Sequence, residues 1–256
     1  MQLRSEEAKN SLFLGLAYNF QNNSADCLHQ SAVFDDRRLI GALLCSRYQG
    51  KTNLVVASTE YSKSVEKFFL QFLQLKIAID GVVGERRMAE TCRGLCEKYG
   101  GMNTEIQMSQ GIYKCEKVVF PQEDRNLDFR WAVKQDVKLI GEWVASFHQE
   151  ADPSQPSISG VDIAKSKIEN NMIMLVLLKG EPVAMAAWTR DIESSCSIHY
   201  VFTPKPHRKN GYGSQVTAYL TNHLLKSGKR VKINKSTLGI ELEVCYLIKK
   251  SFFSSK

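Results

Sequence analysis

A strand, a glycine-containing turn and a helix follow one another directly between residues 195 and 227, and this succession narrows the choice of fold. Ser195 to Phe202 has the apolar pattern of a strand, and Gly211 to Ser227 has that of an amphipathic helix. The turn between them lies within PHRKNGYGSQV, residues 206–216. Such a turn aims unpaired main-chain N–H groups and the positive end of the helix dipole at one point, which therefore attracts phosphate.

The spacing of the glycines distinguishes among phosphate-binding motifs. Arg208, Gly211 and Gly213 form R-x-x-G-x-G, whereas the P-loop pattern G-x-x-x-x-G-K-[ST] and the dinucleotide fingerprint G-x-G-x-x-G are absent. The two glycines have no Cβ, so a diphosphate can approach the main chain closely. Arg208 and Lys209 add positive charge, and Ser214 adds a hydroxyl donor. The turn is therefore a candidate diphosphate site.

The other elements of the second half predict an α+β fold built on an antiparallel meander. Met172 to Leu178 and Val183 to Arg190 are predicted strands joined by the hairpin signal Lys-Gly-Glu-Pro, and Ser195 to Phe202 continues them. The order along this half is β, α, α, β, β, β, α, β. The remaining predicted elements are a strand at Phe129 to Ala132, helices at Asp136 to Gln149 and Val161 to Asn170, and a strand at Arg230 to Ile233.

The first half predicts a similar succession of strands and helices. Cys92 and Cys96 lie four residues apart without a second pair of ligands, which indicates buried helical cysteines rather than a metal site. A polar stretch at 121–127 separates domains at 1–120 and 128–256. The predicted elements are helices at Ser5 to Gln21, Tyr61 to Ile77 and Glu85 to Lys98, strands at Ser31 to Phe34, Arg38 to Ser46 and Thr52 to Ser58, and a strand pair within 105–119.

Residues 128–234 resemble the GNAT superfamily of acetyltransferases. Arg208 to Gly213 matches that family's coenzyme A signature, Tyr200-Val-Phe-Thr-Pro204 looks like the strand and turn before it, and Phe129-Arg-Trp-Ala132 looks like its first strand. The resemblance implies an acyl-CoA N-acyltransferase fold, in which helices flank a mixed, mostly antiparallel central sheet, in two tandem related halves. The first half is similar to the degenerate N-terminal unit of such two-part proteins: Thr59-Glu-Tyr-Ser-Lys63 stands at the corresponding place without a glycine, so this half is not expected to bind coenzyme A by the same route.

The resemblance also implies acetyl-CoA as co-substrate and a set of residues that bind it. The last strand of the meander would offer main-chain groups to the pantetheine amides, as an added strand does, and the turn would cradle the pyrophosphate. The strand residues are Tyr200, Val201, Phe202 and Thr203, and the turn residues are Arg208, Lys209, Asn210, Gly211, Tyr212, Gly213 and Ser214.

Acyl transfer to an amine requires a proton acceptor, and His199, Glu193 and Asp191 are the candidates. His199 alternates with Tyr200 along a strand, so one of the two is expected to face the core. Glu193 and Asp191 lie in a hairpin turn, where solvated acids are common. Cys196 has no catalytic partners of the Cys-His-Asp kind and is expected to fill space in a strand.

The C-terminal end departs from the family pattern. Residues Leu238 to Lys250 are predicted to form a helix, whose Tyr246 is the candidate donor of a proton to the departing thiolate. The usual final strand of the family has no residues left to form it. The second half therefore looks truncated, or changed in reading frame near residue 234.

The predicted activity is transfer of an acetyl group from acetyl-CoA to a primary amine of a small molecule or protein, by direct attack in a ternary complex. The alternative is a coenzyme A binding pseudoenzyme or regulatory module. The net charge of +7 leaves a nucleic-acid or anionic-surface binder as a third reading, although the basic residues are dispersed. Seven scattered cysteines and the lack of a long apolar run predict a cytoplasmic protein without a membrane span, either monomer or homodimer.

Overall fold

The computed structural model describes residues 17, 26–48, 51–58, 63–121, 126–151, 159–192, 195–235 and 243–250. The chain forms two compact units, one of Met1–Tyr113 with Asn234–Lys256 and one of Lys114–Ile233. Among the described residues, every helix is too short or too polar to cross a membrane. The helix predicted at Ser5 to Gln21 lies outside the described residues except for Ala17.

The first unit is a sheet with two helices. Its core joins apolar side chains of the strands to Phe69, Phe72, Cys92 and Cys96 of the helices, which confirms that both cysteines are buried. The sheet order is β1-β2-β3-β4-β11-β5. The elements are β1 (Cys27–Asp35), β2 (Arg38–Tyr48), β3 (Lys51–Ser58), α1 (Lys63–Gln74), β4 (Gly81–Glu85), α2 (Arg86–Gly100), β5 (Thr104–Cys115) and β11 (Glu243–Lys250).

Two expectations for these residues were wrong, and one strand was not anticipated. The predicted strand pair within 105–119 is the single strand β5, and the short strand β4 precedes α2 without having been anticipated. A helix was predicted at 238–250, but the residues described there, Glu243–Lys250, form the strand β11, which pairs antiparallel with both β4 and β5. Because of this pairing, residues from Asn234 onward group with the first unit and not with residues 114–233.

The second unit is a sheet with helices on both faces. The strands run β10-β9-β8-β7-β6, antiparallel from β6 to β9, with β10 parallel to β9. The elements are β6 (Leu127–Trp131), α3 (Val137–Ala151), α4 (Gly160–Glu169), β7 (Ile173–Leu178), β8 (Glu181–Ile192), β9 (Ser195–Phe202), α5 (Tyr212–Lys226) and β10 (Arg230–Lys235).

The side chains of β7 point alternately into the two apolar cores on opposite faces of the sheet. Ile173, Leu175 and Leu177 belong to a core formed with α3 and α4, whereas Met174 and Val176 belong to a core formed with α5. Successive side chains of a strand point to opposite faces, so a strand covered on both faces is apolar throughout. The sequence IMLVLL of β7 meets this requirement.

The start of α3 is held by a carboxylate. Asp136 accepts the main-chain N–H of Val133 at 2.7 Å and makes two hydrogen bonds with the guanidinium of Arg130, at 2.6 and 2.9 Å. The hydrogen bonds from Arg130 lower the pKa of Asp136, because they favour its charged form. This pair connects β6 to the helix that carries part of the site.

We expect Asp136→Asn to lower the free energy of unfolding of the second unit by about 2 kcal/mol at pH 7, less than for a fully buried pair because Arg130 is partly exposed. Because the pKa of Asp136 is lower in the folded state, its carboxylate stabilises the folded protein at pH values above its unfolded pKa of about 3.9. This stabilisation is lost as the pH falls through the folded pKa. The difference from wild type should therefore shrink in acid. Urea unfolding followed by the fluorescence of Trp131, Trp143 and Trp188 measures it, because all three lie in this unit.

Glu116→Gln is the matched control for that measurement. Glu116 belongs to an ion pair of the same unit, with Lys114 at 2.7 Å, but its side chain is 76% exposed. Exposed pairs contribute little to stability, so this variant should unfold like wild type. An equal loss in both variants would contradict the role given to Asp136.

Candidate functional site

Strand β9 contains a bulge at Tyr200. Ala187 pairs with His199 and Met185 with Phe202, so three steps along β9 oppose two steps along β8. Tyr200 takes a left-handed backbone conformation with φ 49°, as residues at bulges can. The extra residue interrupts the alternation of side chains. The rings of both His199 and Tyr200 contact Phe147 of α3, at centroid distances of 5.8 and 5.2 Å, so the expected alternation of the two is wrong.

Strand β9 also separates from its parallel neighbour. It pairs with β10 only over Ser195–Ile198, opposite Arg230–Ile233. Beyond this point, residues 199–202 of β9 have no paired residue in the described part of β10. A strand edge of this kind can accept main-chain hydrogen bonds from an extended ligand.

The turn after β9 leads into α5 with its N–H groups exposed. Lys209 and Gly211 have φ values of 68° and 78°. Gly211 is the N-cap residue of α5, and its carbonyl accepts the N–H of Gln215 at 3.0 Å. Within the described part of the chain, nothing accepts the main-chain N–H groups of residues 209–214. These residues, called the cradle below, therefore present the main-chain donors on which the predicted anion site depends.

The cradle lies against the end of β9. A Cβ added at Gly213 would lie 3.3 Å from the Thr203 hydroxyl and 3.7 Å from the Val201 side chain. The helix N-terminus and the part of β9 beyond its pairing with β10 are thus adjacent. Tyr212, the residue between the two glycines, packs against the apolar core beneath α5.

The side chain of Arg208 lies across a cleft beside the cradle. Its Nε donates to the carbonyl of Thr203 at 2.8 Å, and one terminal nitrogen lies 2.8 Å from each carboxylate oxygen of Glu150 on α3. The cleft has a volume of about 370 Å³. It is lined by Phe147, Glu150, Ala151, Val201, Phe202, Thr203 and Arg208.

Four polar side chains meet at the bulge, and we call them the bulge cluster: His148 of α3, Lys167 of α4, and His199 and Tyr200 of β9. Nε2 of His148 lies 2.9 Å from the Tyr200 hydroxyl. The rings of His199 and Tyr200 are 4.1 Å apart, and Nζ of Lys167 lies 5.5 Å from the centre of the Tyr200 ring. The sequence analysis identified only the two residues of β9, because helical residues about 30 and 50 positions away carry no local signal.

Burial changes the charge of the bulge cluster. It lowers the pKa of His199 to about 3, with smaller contributions from the positive charges of Lys167 and Arg190 and from His148. Burial also lowers the pKa of Lys167 to about 8 and lowers that of His148. His199 is therefore neutral at physiological pH and a weak base, whereas the pKa of Lys167 lies near the working range of a general base.

We expect the second unit to lose stability as the pH falls below about 6.5, because the unfolded histidine then binds a proton that folded His199 does not. One such histidine lowers the free energy of unfolding by up to about 1.4 kcal/mol for each pH unit, until the pH approaches the folded pKa of about 3. His199→Gln should flatten this dependence. Urea unfolding of both proteins between pH 7 and 5 tests it, and equal slopes would contradict the low pKa.

The other predicted site residues fall elsewhere. Glu193 lies outside the described residues, and Asp191 belongs to β8. Tyr246 lies on β11, opposite Gly84 of β4, and so belongs to the first unit. Cys196 is buried in the core beneath α5, as expected of a residue that fills space.

The sequence matches no protein-family model and no curated protein. Solved structures do match. A GCN5-related N-acetyltransferase from Kribbella flavida is 14% identical with a TM-score of 0.56, covering 95% of this chain and 96% of its own. One from Sphaerobacter thermophilus is 13% identical with a TM-score of 0.60, covering 91% and 84%. A tandem GNAT protein from the clavulanic acid biosynthesis pathway is 8% identical with a TM-score of 0.53, covering 87% and 82%.

These likenesses span most of each chain but lie below 15% identity, so they establish the fold. The protein has the fold of the GCN5-related N-acetyltransferases, and the tandem GNAT structure matches its two-part arrangement. This confirms the expected fold class, in which helices flank a mixed, mostly antiparallel sheet.

Proposed function

We propose that the protein transfers an acetyl group from acetyl-CoA to a primary amine of a small molecule or protein, by direct attack in a ternary complex. The observation that supports this most is the continuity of three features. The N–H groups of the cradle, the cleft at residues 201–203 and the part of β9 beyond its pairing with β10 lie next to one another. This sequence of features suits a ligand with a diphosphate at one end and an extended amide-containing arm.

Each part of the site has a role in this proposal. The cradle holds the pyrophosphate, and main-chain groups of Tyr200, Val201, Phe202 and Thr203 pair with the amides of the arm. A main-chain N–H at the bulge donates to the thioester oxygen as negative charge develops on it. His199, neutral at pH 7, orients the acceptor by hydrogen bonding, and Glu193 and Tyr246 stay candidates for the base and the acid.

Two measurements test the proposal in order. Isothermal titration with acetyl-CoA should give saturable binding, and absence of binding at tens of micromolar to the folded protein would exclude coenzyme A chemistry. Release of free thiol is then measured across a panel of amines. Release that depends on both an amine and acetyl-CoA supports transfer.

A coenzyme A binding protein without transferase activity is the second candidate. It is favoured by one observation: the candidate proton donor Tyr246 lies on the strand β11 and not on the helix that the resemblance implies. Binding of acetyl-CoA without thiol release by any amine of the panel would favour this second function.

A further inference from the structure

Lys167 is held at the bulge by contacts with two strands. It lies on α4, next to Ile168, which is buried in the core under that helix. Its Nζ donates to the carbonyl of Trp188 on β8 at 3.3 Å and lies 5.5 Å from the centre of the Tyr200 ring on β9. Its charge acts on His199 of β9 together with those of Arg190 from β8 and His148 from α3, and Nε2 of His148 lies 2.9 Å from the Tyr200 hydroxyl.

The cradle and the bulge lie at different positions along β9, which sets the direction of a ligand bound between them. The cradle contacts Val201, near the C-terminal end of the strand, and Thr203, which follows it, while the bulge lies earlier in the strand, at His199 and Tyr200. From Thr203 to His199 is four residues, or about 13 Å of strand. An acyl-CoA whose diphosphate sits in the cradle and whose arm follows β9 away from it carries its thioester toward the bulge, where Lys167 lies.

We propose that Nζ of Lys167 is an acylation site, which takes the acyl group from bound acyl-CoA when no acceptor amine is present. This inference rests on the proposed function, because it requires acyl-CoA to bind along β9.

The reaction needs no further reagent. The neutral amine of Lys167 attacks the carbonyl carbon of the thioester, a C–N bond forms and the C–S bond breaks. The proton lost by the amine neutralises the departing thiolate, and the products are Nζ-acetyl-lysine and free coenzyme A. Burial favours the neutral amine, since it lowers the pKa of Lys167 to about 8, whereas an ordinary lysine has a pKa near 10.4.

The test is residue-level mass spectrometry of the wild-type protein incubated with acetyl-CoA alone at pH 7.5. Lys165 is the matched control, because it lies on the same helix but is exposed. The arm of bound acyl-CoA leads toward the bulge, where Lys167 lies, and burial lowers the pKa of Lys167 to about 8, so acetylation of Lys167 should exceed that of Lys165 by at least about tenfold. Equal acetylation of the two lysines, or none at Lys167, would overturn the inference.

Two further arms complete the experiment. Lys167→Arg should abolish the fast acetylation, whereas Lys165→Arg should leave it unchanged. Tryptophan fluorescence checks that both variants fold. Fast acetylation that persists in folded Lys167→Arg would contradict the assignment of the site to Lys167. Isothermal titration of the same wild-type sample separates the two claims. Binding of acetyl-CoA without acetylation of Lys167 overturns this inference alone, whereas absence of binding overturns the proposed function and this inference with it.

Discussion

Gly211→Glu is expected to weaken binding of acetyl-CoA by at least about a hundredfold, or about 3 kcal/mol. A carboxylate at this position would lie beside the phosphates at the start of α5 and repel them. The fold should survive, because an added Cβ at Gly211 meets no heavy atom within 4 Å. The left-handed backbone, with φ 78°, adds a strain of about 1–2 kcal/mol for a residue other than glycine. Isothermal titration measures the affinity.

Gly228→Glu separates repulsion from strain. Gly228 follows the other end of the same helix, has φ 82°, and likewise has no heavy atom within 4 Å of an added Cβ. The two variants therefore share the substitution and the backbone strain, but only one places charge in the cradle. We expect the affinity of Gly228→Glu to stay within about threefold of wild type, since strain alone leaves the binding groups in place. Equal losses in both variants, or unchanged affinity in Gly211→Glu, would place the phosphate site elsewhere.

The cradle was predictable from sequence because it is local. A helix N-terminus and two glycines lie within a few residues of each other, and their geometry follows from neighbouring dihedral angles. The strands and helices of the second unit were predictable for the same reason, since the spacing of apolar residues within each element indicates whether it is a strand or a helix. The cofactor half of the candidate site is of this local kind.

The bulge at Tyr200 was not predictable in this way. Whether β9 contains an extra residue depends on its register against β8, and a run such as SIHYVF reads equally well as regular alternation. The bulge cluster has the same difficulty, because His148 and Lys167 come from two helices that meet β9 only through packing.

Strand β11 illustrates the strongest non-local effect. Its partners β4 and β5 lie more than 120 residues earlier in the chain, so the pattern of residues 238–250 had to be interpreted without them. Its sequence, EVCYLIKK, contains β-branched and aromatic residues, and pairing on both sides decides in favour of a strand.

Gly160→Ala is expected to destabilise the second unit by about 3 kcal/mol. Gly160 is the first residue of α4, and a Cβ there would overlap the carbonyl oxygen of Gly141 on α3 and lie 3.1 Å from the main-chain N of Ala145. Main-chain atoms of a helix cannot move aside as a flexible side chain can, so the two helices must separate. Because α3 carries Phe147 and Glu150 of the cleft, weaker acetyl-CoA binding should accompany the loss of stability.

Gly94→Ala is the same substitution at a position where we expect a gain in stability instead of a loss. Gly94 lies inside α2 of the first unit, and an added Cβ there meets no heavy atom within 4 Å. Alanine in a helix interior is favoured over glycine by about 0.5–1 kcal/mol, so this variant should be slightly more stable than wild type. Urea unfolding followed by tryptophan fluorescence measures Gly160→Ala, and far-ultraviolet circular dichroism is needed for Gly94→Ala because the first unit contains no tryptophan. Wild-type stability in Gly160→Ala would mean that α3 and α4 pack less closely than the Gly141 to Gly160 contact requires.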